Sequence, residues 1–170
     1  MEYPERKPNR LKNYDYSNPG AYFITICTCN REEILWQTVG ANNVRPLPFD
    51  ENLSEYGQIV NKYIKYIHEK YKNVSVEKYV IMPNHIHMIL MISGNKDGRT
   101  MDGRTMFAPT TTVSQIIKQF KGAVTKEIGF SIWQKSFYDH IIRNGNDYEN
   151  IWEYIESNPQ NWQEDCFHID

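Results

Sequence analysis

Residues 74–92 constrain the fold of this chain more than any other stretch. Val74 to Met82 (VSVEKYVIM) and His85 to Ile92 (HIHMILMI) are both rich in β-branched and apolar residues, and only Pro83 and Asn84 lie between them. So short a connection makes an antiparallel pair of strands the simplest solution. Alternate side chains of a strand share a face, so His85 and His87 project together while Ile86 and Met88 point the other way. Two adjacent imidazoles can hold one metal ion. An isolated His-x-His pair is as readily a hydrogen-bonded core histidine with an incidental neighbour, so the rest of a site has to be sought elsewhere.

Apolar periodicity supplies the other elements. Ala21 to Cys29 (AYFITICTC) reads as a buried first strand, and Ile34 to Val39 as a hairpin strand before a loop from Gly40 to Pro48. Leu53 to Tyr71 is a helix whose stripe is Tyr56, Val60, Tyr63, Ile67 and Tyr71; Val113 to Ile128 is a second, with Val113, Ile116, Ile117, Phe120 and Val124. Phe137 to Ile142 is strand-like. Asp147 to Ser157 is a third helix stopped by Pro159, because the residue before a proline is pushed out of the α region. The order strand, helix, strand, strand, helix, strand predicts an α+β fold, a ferredoxin-like sandwich with an antiparallel sheet and an appended C-terminal helix. Residues 1–170 are expected to form one domain, with a basic arm over about 1–20 and a mobile loop over about 94–110. That loop holds an immediate repeat, Asp97 to Met101 and Asp102 to Met106, which is too short to be a structural unit.

Composition narrows the function classes. With 40% hydrophobic and 14% aromatic residues, a chain of 170 can bury a core rather than stay disordered. Its longest apolar run is far too short to cross a bilayer, and the charged N-terminus lacks the apolar segment of a signal peptide, so a cytoplasmic protein with no membrane partner is expected. Cys27, Cys29 and Cys166 are an odd number and argue against a disulfide framework. Cys27 and Cys29 could join His85 and His87 in a zinc site if the first strand neighbours that of the histidines, although ordinary packing is the simpler account. The net charge of −2 conceals an asymmetry. Residues 144–170 carry seven of the 21 acids and no Lys or Arg, leaving 14 acids against all 19 basic side chains in the rest. A basic body of this kind is compatible with binding a phosphate backbone.

The last helix offers a second half for the histidine site. Tyr148, Ile151, Trp152 and Ile155 form its apolar stripe, and Glu149, Glu153 and Glu156 its opposite side. Tyr154 falls on neither, roughly 110° from the stripe's centre, and Asn158 follows one turn later near the same azimuth. Taken alone, these are an ordinary boundary tyrosine and a helix-end asparagine before proline. Taken with the histidines, two imidazoles and an amide oxygen could hold a divalent cation beside a phenol. Such a cation polarises a phosphodiester, and an activated phenol can attack it. Attack would leave a 5′-phosphotyrosine and a free 3′-hydroxyl, and rejoining would need no nucleotide cofactor.

At these positions the chain resembles a known family. Pro83-Asn84-His85-Ile86-His87 looks like the HUH motif of single-tyrosine transposases, and Tyr154 to Pro159 (YIESNP) followed by Trp162 is similar to the C-terminal motif of the REP-associated tyrosine transposases. These are relatives of the insertion-sequence-200-like transposases, in which glutamine usually stands where this chain has Asn158. Further likeness lies in Arg10-Leu11 through Tyr14-Asp15-Tyr16, in Gly20 to Thr25 (GAYFIT), and in Trp133 to Arg143 (WQKSFYDHIIR), so it spans nearly the whole chain. The Asp-Gly-Arg-Thr-Met repeat is no part of it. The resemblance implies a ferredoxin-like HUH nuclease and strand transferase acting on single-stranded DNA, often at the foot of a hairpin. It further implies Mg²⁺ or Mn²⁺ held by His85, His87 and Asn158, and Tyr154 as the nucleophile.

Tyr138 and Tyr148 are rival nucleophiles. Tyr148 belongs to the apolar stripe, and Tyr138 either stacks on a base or holds the fold. Arg6, Lys7, Arg10, Lys12, Lys118, Lys121 and Arg143 are the candidates for contacts to a DNA backbone. A nucleoid-associated protein is expected, as monomer or homodimer. A domesticated protein that binds hairpin DNA without cutting it is the second reading. A histidine-triad nucleotide hydrolase is a weak third, because Ile89 stands where a third histidine would be needed.

Overall fold

The computed structural model describes residues 14–37, 52–94 and 112–168. Residues 1–13 of the expected arm, the loop from Gly40 to Pro48 and the pentapeptide repeat lie outside them. Strands β1 (Gly20–Cys27), β2 (Val74–Ile81), β3 (His85–Ile92) and β4 (Tyr138–Ile142) form one antiparallel sheet in the order β2-β3-β1-β4. Helices α1 (Glu55–Lys70) and α2 (Val113–Ile128) pack on one face, and α3 (Gly145–Ser157) lies on the other. The α+β, ferredoxin-like arrangement matches the expectation from element order.

Strand alternation sorts the side chains between two cores. Tyr22, Ile24 and Ile26 of β1 and Ile86, Met88, Leu90 and Ile92 of β3 meet Val60, Ile64 and Ile67 of α1 and Ile116, Ile117, Phe120 and Val124 of α2. The reverse face carries Ala21, Val80, Ile89 and Ile142 against Ile155 of α3. His85 and His87 fall on this reverse face, as their spacing requires. Because both faces of β3 are covered, its sequence is a near-continuous apolar run rather than an alternation.

Helix ends follow side-chain chemistry. The Ser54 hydroxyl accepts from Gly57 N–H at 3.1 Å and starts α1 two residues after the expected Leu53. Thr112 and Gln115 form a reciprocal capping box on α2, and Gly129, at φ 94°, ends it in the left-handed region. Asn144 Oδ1 accepts from Asp147 N–H at 2.9 Å, so α3 begins at Gly145 rather than Asp147.

Other expectations need correction. β1 stops at Cys27 instead of Cys29, because Asn30 and Arg31 take positive φ (54° and 58°) in a tight turn that leaves the sheet. Ile34 to Gln37 is not a ladder-forming strand. It is held by scattered bonds, Leu35 N–H to Pro83 O, Trp36 Nε1 to Ile81 O and Ser54 Oγ to Ile34 O, and by a single bridge from Trp36 to Leu53. In α1, Ile64 is buried where the sequence stripe offered Tyr56, Tyr63 and Tyr71, which sit at its half-buried margins. α3 ends at Ser157 as expected, but not because the proline pushes its predecessor out of the α region. Asn158 stays right-handed at φ −55°, ψ −43°, and the backbone tightens into a 3₁₀ run over Asn158–Glu164 with Pro159 in its first turn.

Gly57 is the tightest approach in the helical layer, and a Cβ there would overlap the Leu35 carbonyl oxygen. That carbonyl also accepts from Ser54 N–H, so the backbone cannot retreat freely. Gly57→Ala is therefore expected to destabilise the protein by about 3 kcal/mol despite its better helix propensity. Urea unfolding checks this, and an unchanged midpoint would refute the close packing of α1 on Leu35.

Candidate active site

β3 carries the two histidines, and the neighbouring segments orient them. Asn84 donates through Nδ2 to Phe167 O at 2.8 Å, which turns its Oδ1 toward His85 Nδ1, also at 2.8 Å. His85 must therefore donate from Nδ1, and the neutral ring presents its lone pair at Nε2. On the next strand, in register with His87, Thr25 Oγ1 lies 2.8 Å from His87 Nδ1. The Thr25 hydroxyl can donate or accept, so it supports either tautomer of His87. The two Nε2 atoms face each other at 3.0 Å. Both rings are fully buried, walled by Phe23 (5.1 Å from His87) and Phe167 (4.6 Å from His85).

α3 and the turn after it close the site from above. Tyr154 Oη lies 3.2 Å from His87 Nε2 and donates to Asp165 Oδ2 at 3.4 Å. Asn158 donates through Nδ2 to the same Asp165 oxygen at 2.8 Å, while its own Oδ1 is buried with no hydrogen-bond partner among the described residues. Asp165 is held in turn by Phe167 N–H, which donates to Oδ1 at 2.7 Å. Arg31 secures the turn by donating to Cys166 O at 3.4 Å and resting over the Phe167 ring. The start of α3 is pinned to β4 by His140 Nε2 and Asp147 at 3.0 Å.

Burial dominates the electrostatics. It drives the His85 pKa down to about 4, with nearby Asp165 opposing and Arg31 reinforcing the shift. His87 lies well below the ordinary histidine range because of burial, and His85 adds to this. Both rings are therefore neutral at pH 7, the state a metal ligand needs. The Tyr154 phenol is pushed up to about 12, first by burial and then by Asp165, so it is protonated at neutral pH.

The donor set fits a divalent cation. His85, His87 and Asp165 offer ligand atoms all within 4.8 Å of one another. The 3.0 Å between the Nε2 atoms equals the separation of about 3 Å between adjacent ligands of an octahedral ion of Mg²⁺ size. The orphaned Asn158 Oδ1 supplies a further oxygen that folding alone leaves unused. The residues present could hold such an ion, with Asp165 added to the expected donors.

A pH dependence follows for the metal-free protein. The unfolded histidines titrate near 6.5 and the folded ones below it, so between these values the unfolded chain binds more protons. The stability contributed by neutral His85 and His87 is thus present above pH 6.5 and lost as the pH falls toward 4, a decline of about 3 kcal/mol from His85 alone, to which His87 adds in the same direction. Urea titrations in EDTA across this range measure it. A flat profile would contradict the burial of the pair.

The expected site residues separate into groups. His85, His87, Tyr154 and Asn158 converge. Tyr148 packs beside Trp152 in the second core, as its place in the stripe suggested. Tyr138 and His140 lie on the same sheet face as the histidines, and both are exposed. Arg143 is exposed at the β4–α3 junction. Lys121 is half-buried and donates to the Gln134 and Ser136 carbonyls. Lys118 is exposed on α2, on the layer opposite the histidines. Arg6, Lys7, Arg10 and Lys12 lie outside the described residues. Cys27 is the β1 partner of His85, but Cys29 is exposed beyond the strand, and the described metal-competent cluster contains no cysteine. Thr25, Asn84 and Asp165 were not anticipated. Asn84 adjoins the motif and was detectable there, whereas Asp165 looked like one more acid in an acidic tail.

No family model matches the chain. It is 33% identical to an uncharacterised protein of Haemophilus influenzae over 97% of this chain and 94% of that one. It is also 28% identical to a second protein of that organism, provisionally named a REP-associated tyrosine transposase, over 94% of this chain and 88% of the other. With the REP-associated tyrosine transposase of Escherichia coli K12 it shares 25% identity over 91% of its length and 81% of the relative's. Its fold matches the structure of a REP-associated tyrosine transposase bound to a REP hairpin, with a TM-score of 0.59 and 21% identity over 90% of this chain and 74% of that one. The chain is thus similar along almost its whole length to proteins named REP-associated tyrosine transposases, and it shares the fold of one of them.

Proposed function

We propose that this protein is a metal-dependent single-stranded DNA endonuclease and strand transferase that works through a 5′-phosphotyrosine at hairpin DNA. The observation that carries the reading is the convergence of one phenol on the paired imidazoles, with Tyr154 Oη 3.2 Å from His87 Nε2. A packed core has no need to bring a tyrosine hydroxyl, two neutral histidines, a carboxylate and an orphaned amide oxygen to one point. His85, His87, Asn158 and Asp165 would hold Mg²⁺ or Mn²⁺. When bound, the ion supplies charge stabilisation to the phosphodiester oxygens. Asn84 keeps the His85 Nε2 lone pair directed to it, and Thr25 holds the His87 ring in place.

Tyr154 is the nucleophile in this reading. Its raised pKa means that the proton must leave as the bond to phosphorus forms, and Oη already directs that proton to Asp165 Oδ2. The Oη–P bond forms, the P–O3′ bond breaks, and the departing 3′-oxygen takes up the proton released by Tyr154, relayed from Asp165 through solvent, to leave as a hydroxyl. The reverse attack rejoins strands without a nucleotide cofactor. The hairpin carried by the structural neighbour supports DNA of that kind as the partner. No described helix is long and apolar enough to cross a membrane.

Incubating the protein with single-stranded hairpin oligonucleotides and Mn²⁺ tests this. A covalent adduct surviving denaturing electrophoresis, with release of a free 3′-hydroxyl fragment, is the expected result. Tight hairpin binding with no adduct in either metal would instead support a domesticated protein that binds without cutting.

A further inference from the structure

Tyr138 is an exposed aromatic ring beside the catalytic face, and the strand register fixes where it stands. His87 pairs with Thr25, and Thr25 pairs with Tyr138, so the three lie in one row across β3, β1 and β4. Residues paired across antiparallel strands point to the same face, so Tyr138 shares the face of the histidines. Two strand spacings put it about 10 Å from His87. Its side chain is 52% exposed although it sits within a strand whose Asp139, Ile141 and Ile142 are buried. No hydrogen bond or ring contact to the rest of the described protein engages it, unlike Tyr148 on Trp152 or Tyr154 on Phe23.

The covering elements leave that side open. α3 packs over the β2–β3 half of the face through Ile155 and Trp152, with Lys78 of β2 lying over the Trp152 ring. The turn at Asp165 to Phe167 covers His85. Over the β4 half, Tyr138 and His140 remain exposed among the described residues, and Thr25 forms the floor between them and His87. A singly exposed tyrosine is ordinary on a strand, so it is the place of this ring, in one row with His87, that carries the argument.

We propose that Tyr138 is a stacking platform for the base of a nucleotide flanking the scissile phosphate, which positions the strand for attack by Tyr154. This rests on the function proposed above. A phosphate between Tyr154 Oη and the histidines leaves the adjoining nucleotide to run either under α3 or toward β4, and among the described residues only the β4 side of this face offers an exposed ring besides Tyr154. Aromatic stacking accepts any base, so the platform sets position rather than sequence. Tyr138 is thus a positioning residue and touches no reacting atom.

Fluorescence anisotropy and adduct formation with a labelled DNA hairpin carrying single-stranded thymidine tails test this. Tyr138→Ala is expected to weaken binding by about tenfold and to slow adduct formation, whereas Tyr138→Phe, which keeps the ring, behaves as the parent. Single abasic sites are then walked along the tails. One position should reproduce the loss in the parent protein and add nothing further to Tyr138→Ala. An unchanged melting temperature for Tyr138→Ala excludes a merely structural effect, as its exposure leads one to expect. Parent-like binding by Tyr138→Ala, or abasic effects additive with it at every position, would overturn the platform while leaving the nuclease reading intact. A parent protein that neither binds nor cleaves the hairpin would overturn both.

Discussion

Tyr154→Phe is expected to abolish the covalent protein–DNA adduct, lowering its rate of formation by at least about a thousandfold. The substitution removes one oxygen and leaves the ring where it is, against Phe23 at 6.1 Å and His87 at 5.1 Å. The lost hydrogen bonds reach His87 and Asp165 from a side chain that is 39% exposed. Their removal should cost no more than about 1 kcal/mol of stability. Activity and stability should therefore separate, and hairpin binding should persist. Denaturing electrophoresis of adducts, alongside a thermal melt, reads both. An undiminished adduct would move the nucleophile elsewhere, and the structure ranks the rivals. Tyr148 of α3 packs against the second core, and Tyr138 is about 10 Å from His87.

His85→Ala and His87→Ala carry the second large effect. Each should lower cleavage by at least about a hundredfold and remove tight Mn²⁺ binding measured by calorimetry, with hairpin binding retained. EDTA should reproduce the loss in the parent protein, and added Mn²⁺ should reverse it. Both variants should also lose stability. His87→Ala deprives buried Thr25 Oγ1 of its partner, and His85→Ala does the same to Asn84 Oδ1, although Asn84 still holds Phe167. Leaving a buried polar group unpaired costs about 1–3 kcal/mol, which sets the expected loss in each. Cleavage that continues undisturbed in EDTA would end the metal reading, and Tyr154 would then need another source of charge stabilisation.

Much of this architecture was legible in the pattern of residues. The stripe of α2 matches its buried set residue for residue, because a helix packed on one sheet face shows a simple 3.6-residue period. The two-residue gap at Pro83-Asn84 leaves adjacent strands little choice but antiparallel pairing. In α1 the same reasoning chose tyrosines over Ile64, since a tyrosine can lie half in and half out and so blurs the stripe. The segment near Trp36 misled for a different reason. Its β-forming residues serve scattered tertiary hydrogen bonds rather than a ladder, and no local pattern distinguishes the two.

The sequence by itself determined the face shared by His85 and His87, the boundary position of Tyr154 on its helix and the one-turn spacing to Asn158. Each follows from the repeat of a strand or a helix, which is set by backbone geometry within a few residues. Tertiary structure alone decided that these meet, that Thr25 and Asn84 orient the rings, that Asp165 joins them and that Tyr138 stands in their row. Those relations depend on register between strands and on a turn that leads the chain back over β3, through contacts spanning up to 135 residues. Burial, which only the assembled layers create, then holds the imidazoles neutral and the phenol protonated.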